Sequence, residues 1–144
     1  MKLSVKLSAL TLALAFSANV FAHGAVTPQA IDTSTIPQLG EEWADTNPYR
    51  DVEGETKSEI IRVGASAYNQ NCARCHGLEA ISGGIAPDLR YLASDFDGDE
   101  WYVYRVKNGA VRNGAVYMPK MTEHLSQEAL WAVRSFVESV AVAQ

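Results

Sequence analysis

Cys72-Ala73-Arg74-Cys75-His76 holds both cysteines of the 144-residue chain and one of its three histidines. Two thiols separated by two residues, with an imidazole directly after the second, stand about one helical turn apart. That spacing is the attachment signal of a c-type haem: the thiols can add to the two vinyl groups of one porphyrin, and the imidazole can rise to its iron. Other uses of the same residues compete. A disulfide here would close a very small loop and stabilise little. A thioredoxin-like redox pair opens a helix behind a strand, whereas Cys72 closes a helical stretch. Zinc needs a fourth ligand, for which the remaining histidines are His23 and His124. Haem is the reading that the motif favours.

Upstream, Thr56 and Glu59 have the spacing of a capping box, which predicts a helix over 57–70. Its apolar stripe takes Ile60, Val63, Gly64, Ala67 and Tyr68. Gly64 costs that helix about 1 kcal/mol, and lets a second helix come close. Downstream, Asp97 and Glu100 open a short middle helix with Trp101, Tyr104 and Val106 behind them and a stop at Asn108 and Gly109. A last helix runs from near Ser126 to about Val140. Gln127 and Glu128 lie in its first turn, where the dipole favours them, and Leu130, Val133, Phe136, Val137 and Val140 face inward. No strand-length alternation with hairpin turns is apparent between these helices. The expected class is all-α, with three main helices and long loops over 77–96 and 110–125. So few short helices bury little apolar area, and a small domain of this kind needs a staple.

A haem iron held by His76 leaves one axial position, and Met118, Met121 and His124 are the downstream side chains able to fill it. Met118 is preferred because Pro119 restricts the backbone that presents its sulfur; a lone methionine is also an ordinary core filler. In Ile85-Ala86-Pro87-Asp88-Leu89, a backbone carbonyl can accept the second ring N–H of His76, fixing its tautomer and raising its basicity. Gly83 and Gly84 suit a backbone that approaches the haem edge. Ala80, Ile81, Lys120 and Met121 are candidates for an exposed rim. Arg90, Tyr91, Trp101, Tyr104, Arg105 and Arg112 can all donate hydrogen bonds to haem propionates, and the sequence does not choose among them.

The chain opens with Lys2 and Lys6, an uncharged apolar run from Leu7 to Phe16, and Val20-Phe21-Ala22. This is the layout of a secretory signal peptide over 1–22, cleaved after Ala22, leaving no membrane span and placing the protein in the periplasm. Residues 23–55 read as an irregular arm, with Trp43 and Tyr49 as aromatic anchors, and 56–144 as the monohaem domain. Twelve basic against seventeen acidic residues give a net charge of −5, and losing Lys2 and Lys6 makes the remainder more acidic. Nucleic-acid binding is disfavoured, because phosphate contact rewards a basic face. His23 at a new terminus could chelate copper with its amine, but no second histidine is placed beside it, and no metal is assigned there.

From about Ser58 to Val140 the chain resembles the class I c-type cytochromes. The resemblance rests on the cysteine-histidine stretch, Ala86-Pro87-Asp88-Leu89, Met118-Pro119 and the closing run Leu130-Trp131-Ala132-Val133-Arg134-Ser135-Phe136-Val137. It implies one covalently attached haem c, with Cys72 and Cys75 as thioethers, His76 as proximal and Met118 as distal ligand. It also implies that Pro87 supplies the carbonyl to His76, and that the first and last helices cross where Gly64 meets Phe136. The arm, through His23-Gly24-Ala25-Val26-Thr27-Pro28-Gln29, Leu39-Gly40-Glu41-Glu42-Trp43 and Asn47-Pro48-Tyr49-Arg50, is similar to the c-550 members of that family. Those accept electrons from pyrroloquinoline-quinone (PQQ)-dependent, or quinoprotein, alcohol dehydrogenases. The implied role is a periplasmic one-electron carrier, not an enzyme, passing electrons from such a dehydrogenase toward another cytochrome or a terminal oxidase. The alternative is a haem enzyme or gas sensor with an open distal site, small and peroxidase-like. It would need Met118 off the iron and a polar pair such as His124 with Arg112.

Overall fold

The computed structural model describes residues 27–143; the signal peptide expected over 1–22 and His23 lie outside them. Helix α1 (Gly54–Asn71) is followed by the single turn α2 (Ala73–His76), helix α3 (Phe96–Asn108), strands β1 (Ala110–Arg112) and β2 (Ala115–Met118), and helix α4 (Gln127–Ser139). The architecture is mostly helical, as the sequence implies.

Helices α1 and α4 form the frame. The buried stripe of α1 is Ile60, Val63, Gly64, Ala67 and Tyr68, as its spacing predicts, and α4 is buried from Gln127 to Val137. The two cross where Gly64 lies against the backbone of Ala132. One turn further on, the rings of Tyr68 and Phe136 meet with centroids 5.1 Å apart. The expected glycine–aromatic contact is therefore split: Gly64 meets a backbone, and Phe136 meets a ring.

The starts of two helices differ from expectation. Helix α1 begins at Gly54, behind Glu53, with no side-chain cap, so the irregular arm ends three residues before Thr56. The Thr56/Glu59 capping box does not form. Glu59 is spent on Arg62, at 2.6 and 2.7 Å, and on the Thr35 hydroxyl at 2.7 Å, because a charge-assisted fork one turn away outcompetes a neutral amide. Helix α3 is capped by Asp95, whose carboxylate accepts the Gly98 N–H at 2.9 Å; Asp97 sits in its first turn. Its buried face is Gly98, Asp99, Tyr102 and Val106, while Trp101 and Tyr104 are 40% and 57% exposed. Helix α4 starts where expected, and Ser126 caps it, accepting from the Ala129 N–H at 3.3 Å.

The long loop expected over 110–125 contains an antiparallel hairpin, β1 with β2. Asn113 and Gly114 turn it, both at positive φ (51° and 78°), the two-residue turn that matches strand twist.

From 27 to 53 the chain has no helix or strand, yet Ile36, Asn47 and Tyr49 are buried. Trp43 packs on Trp131, with centroids 6.4 Å apart. Beneath the arm lies an ionic cluster. Asp99 accepts from Arg134 Nε at 2.8 Å, Arg50 Nη2 at 2.7 Å and the Asn47 N–H at 2.9 Å. Glu138 accepts from the same Arg50 nitrogen at 2.6 Å. Asp99 and Arg134 are fully buried, so the arm, α3 and α4 share one desolvated set of charges. Among the described residues, no helix is long and apolar enough to cross a membrane.

Candidate haem site

Helix α1 delivers Cys72, whose N–H still bonds the Tyr68 carbonyl at 2.7 Å. The chain then makes the single turn α2: the Cys72 carbonyl accepts from the N–H groups of Cys75 (3.1 Å) and His76 (3.0 Å). Gly77 ends this turn at φ +80°, where a Cβ would lie 1.8 Å from the Ile81 carbonyl oxygen. Only glycine both adopts that conformation and leaves that room. The Tyr68 hydroxyl donates to the Gly77 carbonyl at 2.8 Å, tying the turn to α1.

The His76 ring lies with Nδ1 2.9 Å from the Pro87 carbonyl oxygen. A carbonyl can only accept, so Nδ1 carries the proton and Nε2 keeps the lone pair.

These residues open on a cavity of about 360 Å³, within the size range of cofactor sites. Its lining is Cys75, His76 and Ile85-Ala86-Pro87, with Trp101 and Arg105 of α3, Ala110, Val111 and Arg112 of β1, and Tyr117 and Met118 of β2. Ile85, Val111 and Tyr117 are 76%, 63% and 57% exposed. Apolar side chains around an open hollow are the lining a flat apolar group would cover. Arg105 stacks on Trp101 at 5.2 Å and Tyr104 at 5.6 Å, and Arg112 on Tyr117 at 5.5 Å, placing cations on aromatic faces. Thiol, imidazole, thioether, apolar wall and guanidinium together fit a haem.

Of the residues singled out in the sequence, Cys75, His76, Pro87 and Met118 line this cavity. Cys72 does not; it packs against the core one turn behind. Burial, with Cys75 beside it adding a little, pushes its thiol up to about 12. Met121 is a core residue at 3% exposure, and His124 is exposed and away from the lining. Ala80, at 0% exposure, and Met121 drop out of the expected rim, whereas Ile81 and Lys120 stay exposed. Gly83 and Gly84 are not among the lining residues; a Cβ on either would meet no described atom within 4 Å, and Gly84 stands at φ +97°. Of the six propionate donors considered, Trp101, Arg105 and Arg112 line the cavity, and Arg90 is held by Asp88. Sequence reasoning passed over Val111 and Tyr117, because the hairpin that carries them was not expected. The Asn113-Gly114 pair was its available signal.

The family described as cytochrome c oxidase, cbb3-type, subunit III matches residues 59–137. Cytochrome c550 of Pseudomonas aeruginosa is 62% identical over 130 residues, which cover 90% of this chain and 88% of that protein. Quinohemoprotein alcohol dehydrogenase ADH IIB of Pseudomonas putida is 35% identical over 81 residues, 56% of this chain but 11% of the enzyme. The ADH-IIG enzyme of the same species is 49% identical over 35 residues, 24% of this chain and 5% of its own length. No solved structure matches the chain significantly. With a family match across most of the region from α1 to α4 and a cytochrome c550 aligned over nearly its full length, this chain belongs to the class I c-type cytochromes, electron-transfer proteins and not enzymes, whose cofactor is haem c.

Proposed function

We propose that this chain is a periplasmic one-electron carrier, exported by the signal peptide 1–22 and composed of the arm 23–53 and a monohaem domain 54–144. Cys72 and Cys75 would bind one haem covalently, and His76 and Met118 would hold its iron. When bound, the haem supplies an iron that alternates between ferrous and ferric. The observation that carries the proposal is that His76 and Met118 open on one cavity, while the Pro87 carbonyl occupies the other ring nitrogen of His76.

Each residue then has a task. His76 donates its Nδ1 proton to Pro87, which holds the ring and makes Nε2 a stronger donor. Met118 offers a soft thioether, which favours the reduced state and raises the potential. Ile85, Trp101, Val111 and Tyr117 exclude water from the pocket.

The wall of the cavity also has a charge bias. Its lining holds Arg105 and Arg112 and no acidic residue, in a chain where acids outnumber bases by seventeen to twelve. An apolar centre with a basic rim suits a partner with an acidic docking face, and such complementarity speeds encounter more than it tightens the complex. The proposed donor is a PQQ-dependent alcohol dehydrogenase, and the proposed acceptor another cytochrome or a terminal oxidase. The partial likeness to two quinohemoprotein alcohol dehydrogenases supports this donor class.

Oxidised and reduced optical spectra of protein made with a haem-attachment system test the ligation. The expected result is a low-spin c-type spectrum with a methionine-to-ferric charge-transfer band, unmoved by carbon monoxide. A high-spin, carbon-monoxide-sensitive spectrum would remove Met118 from the iron. For the partner, stopped-flow reduction by a substrate-loaded quinoprotein alcohol dehydrogenase should slow severalfold in Arg112→Glu and lose its salt dependence. No reduction of the wild type would reject that donor.

A further inference from the structure

The carbonyl that bonds His76 belongs to an exposed loop. Gly83 and Gly84 face open space, Ile85 is 76% exposed, and Pro87 is exposed as well. Among the described residues, no hydrogen bond but that of His76 reaches residues 83–87 from outside the loop. What holds it is a set of bonds within the loop. The Ser82 hydroxyl donates to the Ala86 carbonyl and accepts from the Gly84 N–H at 2.9 Å. The Ser82 N–H donates to Asp88 Oδ2 at 3.3 Å. Arg90 grips Asp88 with both arms of its fork, Nε to Oδ1 at 3.0 Å and Nη2 to Oδ2 at 2.7 Å, and its own N–H adds a bond to Oδ1 at 3.1 Å. Leu89, 8% exposed, roots this end in the core, and the Arg90 carbonyl accepts from the Val142 N–H at 3.2 Å, just beyond α4.

Residue 87 is thus bracketed on both sides, by Ser82 on Ala86 and by Ser82 and Arg90 on Asp88. We propose that Ser82, Asp88 and Arg90 are positioning residues that set the reduction potential by clamping the Pro87 carbonyl onto His76. The proposal rests on His76 being an axial ligand. A firmly held acceptor draws the Nδ1 proton, makes the imidazole more basic, and favours the ferric ion; a loosened one favours the ferrous ion. The fork matters because a bidentate Arg–carboxylate pair fixes direction as well as distance.

Charge alone offers a competing account, and the two differ in sign. Removing the Arg90 cation leaves the negative Asp88 near the site and would lower the potential through space. Opening the clamp would raise it. The test uses the haem-loaded protein with Ser82→Ala, which changes no charge, Arg90→Gln, and Ser82→Thr, which restores a hydroxyl. Ser82→Ala and Arg90→Gln should each shift the ferrous/ferric equilibrium about threefold toward ferrous, where tenfold corresponds to 59 mV for one electron. Ser82→Thr should recover most of that shift. In the reduced protein, exchange of the His76 ring Nδ1 proton, followed by NMR, should quicken in the first two variants and not in the third. A lower or unchanged potential in Arg90→Gln, or unchanged potential and exchange in Ser82→Ala, with a low-spin spectrum retained, overturns the clamp alone. A high-spin wild-type spectrum removes Met118 only; oxidised wild type whose His76 ring resonances show no paramagnetic shift overturns the iron-holding role of His76 and the clamp with it.

Discussion

Gly64 of α1 lies so close to Ala132 of α4 that a Cβ at position 64 would stand 1.9 Å from the Ala132 carbonyl oxygen and 2.5 Å from its carbon. The obstacle is backbone, which no rotamer change can clear. Gly64→Ala should therefore push the two main helices apart. The gain in helix propensity, about 1 kcal/mol, is outweighed by overpacking that costs about 3 kcal/mol in a core of this kind. The net expectation is a loss of about 2 kcal/mol, read as a lower midpoint in a denaturant titration of the haem-loaded protein. An unchanged midpoint would show that the crossing can widen freely.

The charges under the arm give a second expectation. Arg134 is fully buried, its Nε bonded to Asp99 at 2.8 Å and a second nitrogen to the Ala93 carbonyl, with Glu138 further off at 3.5 Å. Asp99→Ala would leave that guanidinium without its main counter-charge, take one of two carboxylates from Arg50, which keeps Glu138, and leave the Asn47 N–H without its acceptor. Removing one partner of a buried pair costs about 3 kcal/mol or more. The loss should appear in chemical denaturation, together with faster hydrogen exchange over residues 43–50, because the arm shares the cluster. Asp99→Ala with intact exchange protection there would separate the arm from the cluster.

A third expectation concerns acid. The Arg62 fork, helped by the Thr35 hydroxyl, holds the exposed Glu59 carboxyl down to about 2 from its ordinary 4.5. A carboxylate depressed by folding contributes stability that is complete above the ordinary value and is lost as pH falls through the folded one. The stability that this ion pair lends should therefore be intact at pH 5 and decline between about pH 4.5 and pH 2, while the contact from Thr35 in the arm holds until pH nears the lower value. An NMR titration of the Glu59 side chain should show its midpoint near the lower value. In Arg62→Gln the midpoint should move back toward 4.5; a midpoint unmoved by that substitution would make the ion pair irrelevant.

How far the sequence spoke for this structure depends on which residues carried each decision. The stripes of α1 and α4 were legible because one apolar face recurs at helical spacing and little polar is buried beside it in α1. Helix α3 was misread because Asp99, which its apolar residues do not mark as inward, is buried against Arg134. That pairing turns Tyr102 inward and leaves Trp101 and Tyr104 outside. No local pattern reports a partner 35 residues away. The hairpin escaped because strands of three and four residues, with nearly all positions exposed, show no alternation. In the site, Cys72, Cys75 and His76 are contiguous enough to read directly. Met118 and Pro87 needed the adjacent proline and the family resemblance, and the Arg105 and Tyr117 walls depend on the orientation of α3 and on the hairpin.

The last prediction joins the hairpin to the proposed distal ligand. Gly109 ends α3 at φ +67°, and a Cβ there would lie 2.3 Å from the Met118 carbonyl oxygen and 3.1 Å from the Pro119 carbonyl carbon. The end of α3 and the backbone that presents Met118 thus touch without a side chain between them. Gly109→Ala should strain the glycine conformation and displace the Met118-Pro119 backbone away from α3. Helix α1, α2 and the His76–Pro87 bond lie elsewhere and should be unaffected. In the haem-loaded protein this predicts a selective loss at one axial position: a weaker methionine-to-ferric charge-transfer band and carbon monoxide binding to the reduced form, with the thioether attachment intact. Asn113→Ala, at the far tip of the same hairpin and exposed, should loosen the turn without either spectral change. A Gly109→Ala protein with the wild-type band and no carbon monoxide binding would show that Met118 reaches its place independently of the α3 terminus.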